Sequence, residues 1–176
     1  REEEFTIGGA RQGLQGWIKV GFKADGAMAA MDMYCVSDNG GKGGGGDANS
    51  AAGGVSALYQ TEAMRFRNTS IGTNTGHRGA QRGPGENQIM AVLAPIMDKA
   101  AEDLGLDRLE IRKLNAAQNG DVSGPRSQPF TSAYMPEALE MGAAQFDWET
   151  KRSRSRQTDG SKVRGLGIGQ GYHNAG

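Results

Sequence analysis

Between Thr73 and Gln88 the chain gathers Gly76, Arg78, Gly79, Arg82, Gly83 and Gly85 in one stretch. Glycines let a backbone approach a bound group closely, and amides at the start of a helix face an anion. Arg78 and Arg82 add permanent charge and forked donors that match phosphate or oxo oxygens. The chemistry on offer is the holding of an anionic group. It is not bond breaking, because no complete catalytic set is present. His77 and His173 lack metal-ligand spacing, a lone Cys35 builds neither a zinc nor an iron–sulfur site, and Ser, His and Asp occur without a Gly-x-Ser-x-Gly elbow. Glu86, just after the loop, has the type of an acid or base, although a first-turn glutamate stabilised by the helix dipole is the plainer reading.

The elements around the loop must position it. A strand over Met64–Ile71 leads in, and a helix leads out with Ile89, Val92, Leu93, Ile96 and Met97 at helical spacing. Strand, glycine loop, arginine and helix together describe a seat for an anionic cofactor; a long surface turn is the other reading of the same residue types. The order of glycines fits neither GxGxxG nor a Walker-type phosphate loop.

Elsewhere the pattern predicts strands over Trp17–Lys23 and Met28–Val36 joined at Ala24-Asp25-Gly26, where Asp-Gly signals a hairpin. A glycine run follows at Gly43–Gly46, then a short helix over Ala51–Tyr59 and a strand over Glu62–Ile71. The helix after the loop spans Glu86–Leu104 with Pro95 inside it, a place where a kink is expected, and stops at Gly105. Asp107 with Glu110 reads as a capping box for a helix through Asn115. Residues 119–130 form a loop, and a helix near Pro136 carries Leu139, Ala143 and Phe146 on one face. Lys151 to Arg156 reads as a solvated basic helix end. Val163–Asn174, with alternating glycines, reads as a strand approached closely by other backbone. The fold class is therefore α+β, a mixed sheet with packed helices. Residues 1–84 are mainly strands and glycine-rich loops, 85–150 mainly helical, and 151–176 linker and strand.

Twenty basic residues balance twenty acidic ones, which argues against a nucleic-acid surface. No apolar run approaches the length of a membrane span. Apolar residues make up only 36% of the chain against 29 glycines. So low a share implies that part of the surface, including the Ile89–Met97 helix and the Val163–Asn174 strand, is covered by segments outside this sequence. Cys35, in an apolar strand, reads as a small core residue.

The motif Arg82-Gly83-Pro84-Gly85-Glu86-Asn87-Gln88, followed by Met97-Asp98-Lys99-Ala100-Ala101-Glu102-Asp103-Leu104-Gly105-Leu106-Asp107 and Leu109-Glu110-Ile111-Arg112-Lys113-Leu114-Asn115, resembles the molybdenum-binding subunit of the xanthine dehydrogenase/aldehyde oxidase family. Arg1–Phe5, Ile18–Gly26 and the close from Arg164 to Gly176 are similar to that family too, in matching order. The resemblance implies an internal piece of the molybdopterin-binding region of a larger subunit. It assigns cofactor contact to Arg82 and Gly83, with Gln81 just before, and places Pro84 and Ser56 at the substrate pocket. Pro84 stands where purine-hydroxylating members carry a phenylalanine, and Ser56 near their substrate-binding arginine, so the implied substrate is an aldehyde or another N-heterocycle, oxidised with oxygen from water. Gly83 stands where carbon monoxide dehydrogenases carry a copper-binding cysteine, which argues against that activity. No catalytic residue and no metal ligand falls within this chain. The implied cofactor is molybdenum-molybdopterin in a cytosine dinucleotide form, with 2Fe-2S clusters and FAD on partner subunits or domains. The implied partners are the remaining segments of the large subunit, iron–sulfur and flavin subunits, and a small-molecule substrate, in the cytoplasm or the periplasm. A non-catalytic scaffold segment or metal-free homologue within such a complex is the competing reading.

Overall fold

The computed structural model describes residues 2–3, 8–41, 46–124 and 127–172. Strands β1 (Gly13–Phe22) and β2 (Met28–Asp38) form an antiparallel hairpin, longer at its open end than the apolar pattern predicts. The turn is the expected one: Asp25 Oδ1 accepts the Ala27 amide at 2.9 Å, and Gly26 takes φ +90°, a conformation side chains resist. Helix α1 (Asp47–Leu58) carries the chain to β3 (Ala63–Ile71), which pairs parallel with β2. The sheet is thus mixed, with order β1-β2-β3 and β2 in the centre.

Alternation along β2 turns Met28, Met31, Met33 and Cys35 inward and leaves Asp32 and Tyr34 on the other face. Helix α2 (Glu86–Leu104) meets that inner face with Ile89, Leu93 and Met97, and α1 adds Ala48, Ala51, Val55 and Leu58. Methionines suit this core because an unbranched thioether fills irregular gaps between sheet and helix. Cys35 lies within it, and burial pushes its thiol pKa up.

Helix α2 runs through Pro95 as one element and stops at Gly105, which is left-handed at φ +67°. Asp107 then caps α3 (Arg108–Asn115), accepting the amides of Leu109 and Glu110 at 2.7 and 3.3 Å. Only that half of the capping box forms, since Glu110 turns to Lys113 instead. Arg112, 1% exposed, joins α3 to α2 by donating to Asp98 Oδ1 at 2.7 Å and Ala94 O at 3.2 Å. Asn115 ties α3 to the hairpin: its Oδ1 accepts the Met28 amide and its Nδ2 donates to Gly26 O. Helices α4 (Met135–Phe146) and α5 (Trp148–Ser153) follow. Among the described residues no helix is long and apolar enough to cross a membrane.

Several expectations need correction. Helix α1 begins at Asp47, four residues before the expected Ala51, because Asp47 and Ala48 are themselves buried by the loop described below. The stretch 119–130 holds a small pair of strands, β4 (Val122–Ser123) and β5 (Gln128–Pro129). The 163–174 strand does not form across the described residues. Only β7 (Lys162–Val163) pairs, with β6 (Thr158–Asp159), and the chain from 164 to 172 is irregular. Among the described residues nothing lies within 4 Å of where a Cβ would stand on Gly165, Gly167, Gly169 or Gly171, so the glycines are not required there by close approach on that side. Without a neighbouring strand to complete its hydrogen bonds, an alternating sequence has no reason to stay extended. The inner face of the Ile89–Met97 helix is covered by this chain's own sheet and α1, with Val92 left half exposed. Gly43–Gly45, His173, Asn174 and the opening residues 4–7 lie outside the described residues.

Candidate functional site

The pairing register brings three glycine-bearing segments to one end of the sheet. Asp38 closes β2 opposite Gly13, where β1 begins, and opposite Ile71, where β3 ends. Residues 8–12, 39–41 and 72–85 therefore leave from the same edge and interlock. The Asn39 amide donates to Ile71 O, Gly41 to Thr75 O and Thr73 to Gly40 O, while Ala10 exchanges hydrogen bonds with His77 and Gly79. Gly40, at φ +67°, has room for no side chain: a Cβ there would stand 2.3 Å from Gly76 O.

Asp38 anchors the first half of the loop. Its carboxylate accepts Thr73 Oγ1 at 2.6 Å, the Gly40 amide at 2.9 Å and Arg78 NH2 at 3.2 Å. The Thr73 hydroxyl first, then the Gly40 amide and the Arg78 charge, hold its pKa below the usual carboxylate range. Arg78, the first arginine of the motif, is thereby committed to the protein.

The second half is held by Arg11. Its NH2 donates to Arg82 O at 2.7 Å, and its NH1 to Gly83 O at 3.0 Å and Gln88 Oε1 at 3.3 Å. Gln88 uses its whole amide: Oε1 also accepts the Gly85 amide at 2.9 Å, and Nε2 donates to Gln12 O and Asp47 Oδ2. Gly85, at φ +81°, presses on α1 so closely that a Cβ would lie 1.6 Å from Asp47 O. Burial pushes the Asp47 pKa up, against Gln88 and Arg11, which draw it down.

Gln81, Arg82 and Gly83 stand together on this turn. Gln81 is exposed and donates to Gly9 O at 2.7 Å. The Arg82 guanidinium is exposed and forms no ion pair or hydrogen bond among the described residues. Backbone amides of Gln81, Arg82 and Gly83 likewise meet no acceptor among the described residues. Two buried polar atoms elsewhere in the interlocked loops, the acceptor Gln12 Oε1 and the donor Arg78 Nε, also lack partners among the described residues. The unpartnered donors of the turn, the Arg82 guanidinium and three successive amides, fit an anionic group bearing oxygens.

Pro84 is half-buried on the same turn. Ser56 is not joined to it by any hydrogen bond. Its hydroxyl donates to Gly53 O at 3.0 Å and accepts the Gly124 amide at 2.9 Å, and it lines a cavity of about 780 Å³ with Tyr59, Phe66 and Val122. Glu86 sits in the first turn of α2, 4% exposed, against Gly54. Among the described residues no group of His, Cys, Asp or Glu could hold a metal ion. Sequence reasoning missed Arg11, Gln12, Asp38 and Asp47, and gave Gln88 no role. The signal available was the second glycine-flanked arginine, in Gly8-Gly9-Ala10-Arg11-Gln12-Gly13.

Comparison with known proteins bears on this geometry. The family profile described as a molybdopterin cofactor-binding domain matches residues 1–116. A putative xanthine dehydrogenase molybdenum-binding subunit of Escherichia coli is 32% identical over 96% of this chain, and aldehyde oxidoreductase of Megalodesulfovibrio gigas is 27% identical over 100% of it. The chain spans 23% and 19% of the length of these relatives. The solved structure of aldehyde oxidoreductase from Desulfovibrio gigas superimposes with a TM-score of 0.74 at 28% identity, covering 84% of this chain and 16% of that one.

Proposed function

This chain belongs to the xanthine dehydrogenase/aldehyde oxidase family of molybdopterin cofactor-binding domains, and from that premise we propose that it is the part of a molybdenum hydroxylase large subunit that holds the cofactor at Gln81, Arg82 and Gly83. The observation that carries this is the turn itself: the Arg82 guanidinium and the Gln81, Arg82 and Gly83 amides meet no partner among the described residues, while the Arg82 and Gly83 carbonyls behind them are held by Arg11. When bound, the molybdopterin cofactor supplies the centre that takes two electrons from substrate and delivers oxygen drawn from water.

The residues present would act by holding and orienting. Arg82 offers a forked cation, and the Gly83 and Arg82 amides offer donors that need no rearrangement on binding. Arg78 stays with Asp38 and stiffens the loop behind them. The catalytic base comes from elsewhere in the large subunit, and electrons leave through 2Fe-2S clusters and FAD on partner subunits. The cofactor is the cytosine dinucleotide form. Pro84 offers no aromatic face for a purine, and Ser56, already bonded to Gly53 and Gly124, offers no cation. A small aldehyde or a less polar heterocycle suits these residue types; of the relatives above, the Megalodesulfovibrio gigas protein bears the name aldehyde oxidoreductase and the Escherichia coli one xanthine dehydrogenase.

The test compares Arg82→Ala with Arg78→Ala in the full-length protein. Arg82→Ala should lower pterin and molybdenum content with little change in thermal stability, whereas Arg78→Ala should lower stability first. Equal losses of cofactor would count against the assignment. Turnover in isotopically labelled water should place label in the product; an unlabelled product would exclude the hydroxylase reading. Preference for xanthine over aldehydes would show that Pro84 and Ser56 do not set the substrate class.

A further inference from the structure

We infer that Arg11 is a positioning residue for the cofactor turn, fixing which way the Gly83 amide points. This rests on the reading that residues 81–83 hold the cofactor. In a trans peptide the carbonyl of one residue and the N–H of the next point in opposite directions. Arg11 NH2 pins the Arg82 carbonyl at 2.7 Å, so the Gly83 N–H is turned to the far side of the peptide plane, away from Arg11. Arg11 NH1 pins the next carbonyl, Gly83 O, at 3.0 Å. The nitrogen following that carbonyl belongs to Pro84 and carries no hydrogen, so the second anchor withdraws no donor from the turn.

Two adjacent carbonyls drawn to one side match the rigidly spaced N–H groups of a guanidinium, whereas an ammonium must reach both from a single nitrogen. Arg11 forms no salt bridge among the described residues, so its hydrogen bonds go to carbonyl oxygens. The fork is itself held, because Gln88 Oε1 accepts from both Arg11 NH1 and the Gly85 amide while Gln88 Nε2 reaches Gln12 O and Asp47. The turn, the segment before β1 and the start of α1 are thus locked through Arg11 and Gln88, with Asn87 Nδ2 donating to the Arg82 carbonyl at 2.9 Å from the helix side.

The experiment uses the full-length protein with Arg11→Gln, Arg11→Lys and Arg82→Ala. One readout is pterin released per folded molecule; the other is hydrogen exchange in the cofactor-free form. Losing charge-assisted hydrogen bonds should raise exchange at the Gly85, Asn87 and Ile89 amides about tenfold in Arg11→Gln and leave the Met31 and Met33 amides unchanged. Pterin content should fall severalfold, with Arg11→Lys between the two because an ammonium must reach both carbonyls from a single nitrogen. Parent-level pterin in Arg11→Gln, with Arg82→Ala depleted, overturns the role of Arg11 alone. Parent-level pterin in Arg82→Ala overturns the reading of the turn itself. A rise in exchange shared equally by the strand amides overturns the positioning role, since it reports general loosening.

Discussion

Gly85→Ala should disable the site more than any other single methyl group added to it. Gly85 has φ +81° and ψ −40°, which an L side chain adopts only at a cost of roughly 1–3 kcal/mol. The added carbon would also stand 1.6 Å from Asp47 O and 2.8 Å from Ala51 N, both backbone atoms. Relieving the first contact alone needs a shift of roughly 1.4 Å, and α1 cannot supply it, because Asp47, Ala48 and Ala51 are 2%, 1% and 0% exposed in a close-packed core. The turn must move instead, taking Arg82 and Gly83 with it, and a displacement near 1 Å costs on the order of 100-fold in turnover. Two companions calibrate the series. Gly83→Ala meets the side-chain amide of Asn87, at 2.8 Å, whose rotation would give up its hydrogen bond to Arg82 O, so with the φ of +67° it should cost about 2 kcal/mol. Gly53→Ala lies inside α1 with nothing within 4 Å, and should stabilise by about 0.5–1 kcal/mol. Thermal unfolding and pterin content of the three variants should fall in the order Gly53, Gly83, Gly85. A Gly85→Ala protein that loads cofactor as well as Gly83→Ala would refute the argument from close approach.

Three further outcomes follow from the same contacts. Asp38, with its folded pKa lowered by Thr73, Gly40 and Arg78, lends the loop stability that is present above about pH 4 and lost as pH falls through the lowered value. Loop protection in Asp38→Asn should be weaker at neutral pH and flat across that acid range; an unchanged acid profile would show that another group governs it. Arg112→Met should destabilise by about 2–4 kcal/mol in denaturant titrations, because Asp98, Ala94 O and Arg108 O lose a buried donor, and a loss below about 1 kcal/mol would contradict its role as a clamp. Asn115→Ala leaves the buried Met28 amide without its acceptor and should cost about 2 kcal/mol, with faster exchange of that amide as the specific mark; slow exchange there would mean another acceptor replaces it.

Much of the fold was legible because its signals are local. The Asp25-Gly26 turn, the span Glu86–Leu104, its stop at Gly105 and the Asp107 cap each depend on backbone preferences of a few neighbouring residues, and each appears where those preferences place it. The turn at 81–83 was marked by residue types, with the resemblance giving it a chemical meaning. Glycine alternation after Val163 misled, since a strand needs a partner that no local pattern can supply.

The sequence by itself therefore determined which residues form helices and turns, and that Arg82 sits on a glycine loop before a helix. Only the tertiary structure decided which arginine is available. Arg78 and Arg82 are alike in type and spacing, but Asp38, forty positions before Arg78, claims one of them, and Arg11, more than seventy positions before Arg82, holds the backbone of the other. Those assignments follow from the β1-β2-β3 register, which sets Gly13, Asp38 and Ile71 side by side. Register is a property of paired strands, and it fixes hydrogen-bond partners across separations that composition and periodicity do not encode.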